Sequence, residues 1–315
     1  MEQRKLGKSG LLVSEVGLGC NNFGGRIDFD ASRKVVHAAL DAGVNFFDTA
    51  DVYGDKGGSE TFLGRILGDK RKDVVIATKF SSVMDEARGH RGASRRYVRM
   101  AVEDSLRRLK TDWIDLYYVH WPDPLTPIEE TLRALDDLVH DGKVHYIGTS
   151  NFPAWQVVEA DWTARDLRLN PFICAQSEYS LIERDAEREL LPALEAYGLG
   201  LIPYFPLASG LLTGKYQRNK SAPKDSRLAN WKNLGERYMT NKNWELIEKL
   251  KAFCKGRDRS LLELAFSWLL AHPQVSSVIA GATKPEQVKQ NVKAAGWRLS
   301  ADDVSEINRQ LSSSA

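Results

Sequence analysis

Residues 114–148 read IDLYYVHWPDPLTPIEETLRALDDLVHDGKVHYIG, and the order of the fold elements can be inferred outward from them. The stretch opens and closes on short apolar runs, Ile114–Val119 and Val144–Gly148, which are typical of buried parallel strands. Between them, TPIE at residues 126–129 has the pattern of a capping box with proline at the first helical position. This pattern predicts a helix that continues to about His140.

The same alternation of apolar runs and helical patterns extends along the chain. Eight runs are predicted as strands of one parallel sheet: Ser14–Cys20, Val44–Phe47, Val74–Thr78, Ile114–Val119, Val144–Gly148, Phe172–Ala175, Leu199–Pro203 and Ser277–Ala280. Further helix starts are predicted at an Asp30 cap and at capping boxes formed by Ser260 with Glu263 and by Thr283 with Glu286.

Eight alternations with right-handed crossovers predict an α/β fold, a (β/α)8 barrel of the TIM type with extended loops at its C-terminal face. A doubly wound sheet is the competing fold, but residues 17–22 (GLGCNN) lack the third glycine of its fingerprint. Because no linker divides the chain, residues 1–315 are predicted to form a single domain, with residues 312–315 as a frayed tail. The polar stretch 208–240 is predicted to be a long loop that is functional or mobile.

The amino-acid composition limits the classes of partner that the protein could bind. The chain has 315 residues, with 44 Lys and Arg against 42 Asp and Glu, and a formal net charge of +2. This balance gives no sign of binding to nucleic acid or to an anionic membrane, and no apolar run approaches the ~18 residues of a membrane span. No secretory signal is visible, and the three cysteines lack the spacing of a disulfide framework. We therefore expect a cytoplasmic protein.

Four chemically active residues are predicted to meet where the strands end. Asp48, Lys79 and His120 follow the second, third and fourth predicted strands, and Tyr53 lies in the loop after Asp48. In such barrels the active site is built at this end. Each residue alone is more often a solvated or structural side chain than a catalyst. Together, a carboxylate, an ammonium, a phenol and an imidazole indicate a site.

This group suits the reduction of a carbonyl. A phenol has an ordinary pKa near ~10, and an ammonium within hydrogen-bond reach lowers that pKa and eases proton release. Lys79 would act in this way on Tyr53, while Asp48 would supply the counter-charge and His120 would orient the carbonyl oxygen. Such a site requires a hydride donor.

Eight motifs together resemble the aldo-keto reductases, in that family's order and from about residue 4 to residue 311. They are DTADVYG (48–54), GGSETFLG (57–64), ATKF (77–80), VHWPDP (119–124), GTSNF (148–152), QSEYS (176–180), IPYFPLASGLLTGKY (202–216) and IAGATKPEQVKQN (279–291). The resemblance implies a barrel enzyme that uses NAD(P)H, with Asp48, Tyr53, Lys79 and His120 as its catalytic tetrad. Residues 202–216 look most like the bacterial and potassium-channel β-subunit branches.

The resemblance also implies where the dinucleotide lies. The hydroxyl and amide groups that would bind the carboxamide belong to Ser150, Asn151 and Gln176. The aromatic ring that would stack on the nicotinamide is that of Tyr204. The residues similar to a pyrophosphate-binding segment are Leu207, Ser209, Gly210, Leu212 and Lys215. Those similar to the adenosine-phosphate region are Gly281, Thr283, Lys284, Gln287, Gln290 and Asn291. Without the family, Tyr204 is equally well explained as a core aromatic residue.

The preferred cofactor is predicted to be NADPH, with weaker binding of NADH. Thr283 as a helix cap and Lys284 after it would place N–H groups, a hydroxyl and an ammonium at a positive helix terminus, which suits a 2′-phosphate. Glu286 opposes this, because in a capping box it would occupy one of the N–H groups. Relatives commonly have arginine at position 284, and lysine lacks its bidentate fork.

The substrate is predicted to be a small aldehyde or ketone. The residues expected to wall its pocket are Asn21, Asn22, Phe23, Trp121 and Trp231. A nucleophile elbow, a zinc motif and paired glycosidase carboxylates are all missing from the sequence, so no metal is expected. The alternative function is a nucleotide-bound regulatory or scaffold protein with little turnover, similar to channel β-subunits. The oligomeric state is open, with a monomer slightly favoured.

Overall fold

The computed structural model describes residues 1–224 and 226–312 of the chain. Its main sheet has eight parallel strands: β1 Val16–Gly19, β2 Phe46–Asp48, β3 Val75–Phe80, β4 Ile114–Val119, β5 Val144–Ser150, β6 Cys174–Glu178, β7 Gly200–Tyr204 and β8 Val278–Gly281. They pair in the order β8-β1-β2-β3-β4-β5-β6-β7. Leu201 of β7 bridges toward β8, since its N–H donates to the Gln274 carbonyl and its carbonyl accepts from the Ser276 N–H. The predicted (β/α)8 barrel is confirmed.

Helices flank the sheet. They are α1 Phe29–Asp41, α2 Tyr53–Leu67, α3 Arg95–Leu109, α4 Ile128–His140, α5 Ala154–Leu167, α6 Leu190–Tyr197, α7 Arg227–Asn230, α8 Lys232–Tyr238, α9 Asn241–Lys255, α10 Leu261–Leu270, α11 Pro285–Ala294 and α12 Ala301–Ser312. None of those in the described ranges is long and apolar enough to cross a membrane. The predicted frayed tail is described only at Ser312, where α12 ends, and residues 313–315 lie outside the described residues.

Side chains on the strands alternate between the barrel interior and the helical layer. On β2, Phe46 belongs to the inner apolar cluster and Phe47 to the outer one. The inner cluster consists of Leu6, Val13, Phe46, Val75, Ala77, Leu116, Tyr118, Cys174, Ile202 and Ile279. The next inward position beyond these apolar residues is Asp48 on β2, Lys79 on β3 and His120 after β4. Because side chains alternate along each strand, these polar side chains point into the barrel at the C-terminal ends of the strands, which form its mouth.

The opposite end of the barrel is covered by a hairpin that the sequence did not predict. Strands Gln3–Lys5 and Leu12–Ser14 pair antiparallel, and Leu6 and Val13 join the inner cluster. Strands of three residues carry too little alternation to be recognised. Several barrel strands also extend further than predicted, because backbone hydrogen bonds continue past the last apolar residue. Lys79 and Ser150 consequently lie within strands rather than in loops.

The helix starts divide into confirmed and corrected predictions. The Ser260–Glu263 capping box is present at the start of α10. At α1, the carboxylate of Asp28 accepts the Ala31 N–H, so the prediction of Asp30 as the cap is wrong. At α4, the helix begins after Pro127 without a side-chain cap, and the Thr126 hydroxyl donates to Asp123 instead. In both corrected cases the predicted residue is near the terminus, but Asp28 takes its place at α1 and no side chain caps α4.

Two glycines allow α2 to lie directly on α3. A Cβ atom at Gly57 would be 2.5 Å from Cδ of Arg108, and one at Gly64 would be 2.5 Å from the Arg108 carbonyl oxygen. Gly57 also has φ +114°, which side-chain-bearing residues rarely adopt. The motif GGSETFLG is thus explained by close helix packing, and this packing fixes the start of α2, where Tyr53 lies.

The long polar stretch between β7 and α9 is not structureless. It contains a 3-10 helix at Ala208–Thr213 and the short helices α7 and α8. Tyr238 donates a hydrogen bond to Glu178, and Arg237 forms ion pairs with Glu178 and Glu183. These contacts attach the stretch to the end of β6, beside the barrel mouth.

The correction at α1 can be tested with two matched substitutions. We expect Asp28→Ala to lower the free energy of unfolding by ~1 kcal/mol, since it removes the acceptor of the Ala31 N–H. Asp30→Ala should change it by less than about 0.5 kcal/mol, since Asp30 forms only an exposed ion pair with Arg33. Urea denaturation of both variants measures the difference. A larger loss for Asp30→Ala would contradict the assignment.

Candidate active site

A buried ion pair lies at the centre of the barrel mouth. The Lys79 ammonium is 2.6 Å from Oδ1 of Asp48, and their side chains are 0% and 3% exposed. Lys79 also donates to the Thr49 carbonyl at 2.7 Å, and Oδ2 of Asp48 accepts from the Gln176 amide at 2.7 Å. Burial lowers the pKa of Lys79, but Asp48 and Tyr53 outweigh burial and raise it. Lys79 is therefore charged.

Tyr53 lies beside this pair, at the first residue of α2. The Lys79 ammonium lies over its ring, with the nitrogen 4.9 Å from the centre of the ring. Burial raises the pKa of the phenol, and Lys79 lowers it by a smaller amount, so that the pKa lies above 10. The predicted lowering by Lys79 is present, but burial, which the sequence did not reveal, outweighs it. Tyr53 is protonated at neutral pH.

His120 faces Tyr53 edge-on. The ring centres are 5.7 Å apart and the planes are inclined by 82°. Burial, and then Lys79, lowers the pKa of His120 to about 3, so its imidazole is neutral. Nδ1 is 3.1 Å from the Ser82 hydroxyl. Sequence reasoning missed Ser82, whose only signal is its position just after β3. Since Ser82 occupies Nδ1, a substrate oxygen would meet Nε2.

The groups predicted to bind the carboxamide are hydrogen bonded to one another. Asn151 donates to Oγ of Ser150 and to the His120 carbonyl, and it accepts the Tyr204 hydroxyl at 2.8 Å. The amide nitrogen of Gln176 donates to Asp48 inside the barrel, which leaves its amide oxygen for a ligand. The structure therefore brings all four residues to the mouth but ties Gln176 to the ion pair.

The segment after β7 forms a tight turn at the edge of the mouth. Ala208, Ser209 and Gly210 have successive φ angles of 45°, 56° and 97°. The Ser209 hydroxyl is buried and has no hydrogen-bond partner among residues 1–224 and 226–312. The Lys215 ammonium lies close to Gly210, at 3.2 Å from the position of a Cβ built there. Leu207 is half-buried, whereas the side chain of Leu212 is fully buried in the core, which leaves only its backbone for a ligand.

Arg227, at the start of α7, is a candidate that sequence reasoning missed. Its guanidinium donates to the amide oxygens of Asn21 and Asn22 and lies over the rings of Phe205 and Trp231. Burial, and then the neighbouring Arg26, lowers its pKa. In the part of the chain that the structure describes, no carboxylate forms a salt bridge with it. A partly buried cation of this kind suits an anionic ligand.

The end of β8 corrects the predicted cap of α11. Oε1 of Gln287 accepts from the Thr283 N–H at 2.7 Å and from the Lys284 N–H at 3.3 Å. Gln287, and not Glu286, therefore occupies these donors, and Lys284 rather than Thr283 is the N-cap of α11. The side chains of Lys284 and Gln290 are exposed, Asn291 is buried, and Gly281 contacts Asn21 and Asn22.

The predicted substrate-pocket residues separate into two groups. Trp121 and Trp231 are 52% and 58% exposed; Trp121 stacks on His120 and Trp231 lies against Arg227. Asn21 is half-buried at the same rim. Phe23, in contrast, is fully buried in the outer core, so the prediction that its side chain lines the pocket is wrong. A position after a strand end does not reveal which way an aromatic ring turns.

Comparison with known proteins agrees with this arrangement. Two relatives are named as a probable voltage-gated potassium channel subunit beta. The one from Oryza sativa subsp. japonica is 41% identical over 301 residues, which cover 93% of this chain and 91% of that protein. The one from Arabidopsis thaliana is 41% identical over 303 residues, with the same coverage. The uncharacterized oxidoreductase YrpG of Bacillus subtilis (strain 168) is 36% identical over 318 residues, which cover 98% of this chain and 95% of that protein.

The family assignment extends over the whole barrel. Residues 15–311 match the sequence model of the Aldo/keto reductase family. This span runs from the start of β1 into α12. The match contains all eight strands and each of the residues in the barrel mouth described above. The chain belongs to the aldo/keto reductase family, a family of oxidoreductases.

Proposed function

We propose that the protein is an NADPH-dependent carbonyl reductase that acts on an aldehyde or a ketone. The observation that carries the proposal is the contact of a protonated Tyr53 with the buried Lys79–Asp48 ion pair, beside a neutral His120. A neutral phenol can donate a proton, and the adjacent ammonium stabilises the phenolate that remains. This combination serves the addition of a proton to a carbonyl oxygen.

Each residue of the site then has a defined task. When bound, the nicotinamide supplies the hydride that adds to the carbonyl carbon. Tyr53 donates the proton to the carbonyl oxygen, and Lys79 stabilises the resulting phenolate. Nε2 of His120 would hold the carbonyl oxygen near the phenol, since Nδ1 is turned toward Ser82. Asp48 keeps Lys79 charged and in place.

The residues around the mouth fit a dinucleotide. The Ser209 hydroxyl, which has no partner among the residues that the structure describes, and the turn at Ala208–Gly210 suit pyrophosphate oxygens, since such turns direct backbone N–H groups to one side. Arg227 and Lys215 would supply positive charge on the same side of the mouth. Ser150, Asn151 and Tyr204 form a network that would hold the nicotinamide, and Lys284 would contact a 2′-phosphate.

The remaining assignments are proposals as well. Trp121 and Trp231 would form the apolar walls of the substrate pocket, together with Asn21 at the rim. We keep the cytoplasm as the compartment, because Cys20, Cys174 and Cys254 are free and buried. We also keep a single domain and a monomer, with no nucleic acid and no membrane as partner.

A second candidate function has support from the relatives. Two of them carry the name of a potassium channel subunit beta. A nucleotide-bound regulatory subunit would use the same mouth to hold the dinucleotide but would turn over slowly. Steady consumption of NADPH with an aldehyde separates the two functions.

The first prediction concerns Tyr53. We expect Tyr53→Phe to lower kcat for aldehyde reduction by ~10²- to 10⁴-fold, because it removes the proton donor of the transition state. The dissociation constant of NADPH should stay within about twofold, since removing a contact made only in the transition state leaves ground-state binding unchanged. Steady-state rates and a fluorescence titration measure both. Turnover at the wild-type rate would exclude Tyr53 as the donor.

The second prediction separates two parts of the dinucleotide site. Lys284→Ala should weaken NADPH binding by roughly 10- to 150-fold, the scale of one charge-assisted contact, and leave NADH nearly unchanged. Arg227→Met should weaken both cofactors alike, because both contain the pyrophosphate. Quenching of tryptophan fluorescence on titration of the wild type and both variants with each cofactor gives the six dissociation constants.

Lys289→Ala is the matched control, since Lys289 is exposed on the same helix. It should leave both cofactors at wild-type affinity. Equal binding of NADPH and NADH by the wild type would contradict the preference for NADPH. A Lys284→Ala variant that weakens both cofactors alike would remove Lys284 from the 2′-phosphate site.

A further inference from the structure

A second buried carboxyl group lies three residues after Asp48 and takes no part in the chemistry described above. Asp51 is 1% exposed, and its backbone N–H donates to the Lys79 carbonyl at 3.1 Å. Neither of its carboxyl oxygens has a hydrogen-bond partner within the described ranges. A buried carboxylate without a partner is costly, so its ionisation state requires an explanation.

The nearest cation is already paired with another acid. Nε of Arg108 is 2.6 Å from Oε2 of Glu60, and the Thr78 hydroxyl donates to Oε1 of Glu60 at 2.5 Å. Glu60 is fully buried, and its two oxygens are satisfied by these two partners. An ionised Asp51 would add a second negative charge for a single arginine. The charges balance only when one of the two acids is neutral, and Asp51 is the one without hydrogen bonds.

The surroundings of Asp51 favour its neutral form. A cavity of about 20 Å³ lies between Asp51 and α3, and a space of this size has room for one water molecule. Burial and then Glu60 raise the pKa of Asp51, against the opposing effects of Arg108, the Val52 N–H and Lys79. The titratable and charged groups around it are Lys79 on β3, Tyr117 on β4, Glu60 on α2, Tyr97, Asp104 and Arg108 on α3, and His90 in the loop before α3.

This cluster supports the segment that follows Tyr53. Residues 54–57 have left-handed backbone angles, including Asp55 at φ 57° and Lys56 at φ 63°. Each such non-glycine residue costs roughly 1–2 kcal/mol, so the segment needs external support. Arg108 packs directly under Gly57, and the Lys56 ammonium donates to the Met84 carbonyl at 2.7 Å. The position of Tyr53 therefore depends on where Arg108 lies.

We propose that Asp51 is a positioning residue that works as an uncharged carboxylic acid. While Asp51 is neutral, Arg108 stays on Glu60 and beneath Gly57, and the segment 54–57 keeps Tyr53 against Lys79. An ionised Asp51 would compete with Glu60 for Arg108 and disturb that support. The ionisation state stands on the structure alone, whereas the effect on turnover rests on the proposed function.

The ionisation state is tested by comparing the stability of the wild type and Asp51→Asn between about pH 5 and pH 9. Asparagine has the shape of the neutral acid but cannot ionise. In the unfolded chain Asp51 ionises at about pH 4. If Asp51 keeps its proton above that pH in the folded protein, unfolding releases the proton. Stability of the wild type relative to the variant then falls as pH rises, until the pH reaches the folded pKa.

We expect the ratio of the two unfolding equilibrium constants from urea denaturation to change by up to about tenfold per pH unit across this window. Glu60→Gln is the matched control: it makes the same change of carboxylate to amide but breaks the ion pair of Glu60 with Arg108, so it should destabilise the protein across this pH range. Parallel pH curves for the wild type and Asp51→Asn would show that Asp51 is ionised in the folded protein and would overturn the proposal.

The positioning role is tested by turnover. Asp51→Ala should lower kcat by about 10- to 100-fold, the scale of a small misplacement of a reacting group, without changing the dissociation constant of NADPH. Asp51→Asn should restore kcat. If Asp51→Asn loses as much kcat as Asp51→Ala, the neutral carboxyl is not what positions Tyr53. If neither the wild type nor any variant reduces an aldehyde while the pH curves diverge, the proposed function is wrong. Asp51 is then still shown to be neutral in the folded protein.

Discussion

The buried ion pair between Lys79 and Asp48 is the interaction on which the rest of the mouth depends. Two charges are held there with almost no exposure, above an interior filled with apolar side chains. Removing one partner of such a pair costs ~3–5 kcal/mol, because the remaining charge stays buried. Thr49 and Gln176 hydrogen bond to this pair, and the ring of Tyr53 lies under the same ammonium. Three strands and the start of α2 are thereby brought to one point.

The barrel supplies this pair by simple repetition. Inward-facing positions recur at every second residue of a strand. The inward position that follows the last apolar residue of the inner cluster therefore lies at the mouth. Lys79 and Asp48 are on paired neighbouring strands, and His120 follows the third of them. Burial then sets their protonation: it raises the pKa of the Tyr53 phenol and lowers the pKa of the His120 imidazole to about 3. Both groups are neutral beside a charged lysine, which is a state suited to proton donation.

The barrel and the meeting of Asp48, Tyr53, Lys79 and His120 could be predicted from the sequence, because both follow from eight apolar runs whose C-terminal ends lie at one end of a barrel. Other features depend on backbone angles or on contacts distant in sequence, which no local pattern contains. The cap of α1 is Asp28 rather than Asp30. At the start of α11, Gln287 rather than Glu286 accepts the Thr283 N–H. Arg227 lies at the start of the short helix α7, 206 residues after Asn21. The ring of Phe23 turns into the core.

The central claim is that this constellation reduces carbonyls with a hydride from the dinucleotide and a proton from Tyr53. The most direct test supplies the purified protein with NADPH deuterated at the transferring position of C4 and an aldehyde, and measures the product by mass spectrometry. The account predicts an alcohol with one deuterium on the former carbonyl carbon and one oxidised dinucleotide for each alcohol formed. An alcohol without deuterium, or no product above the level of the Tyr53→Phe variant, would contradict it.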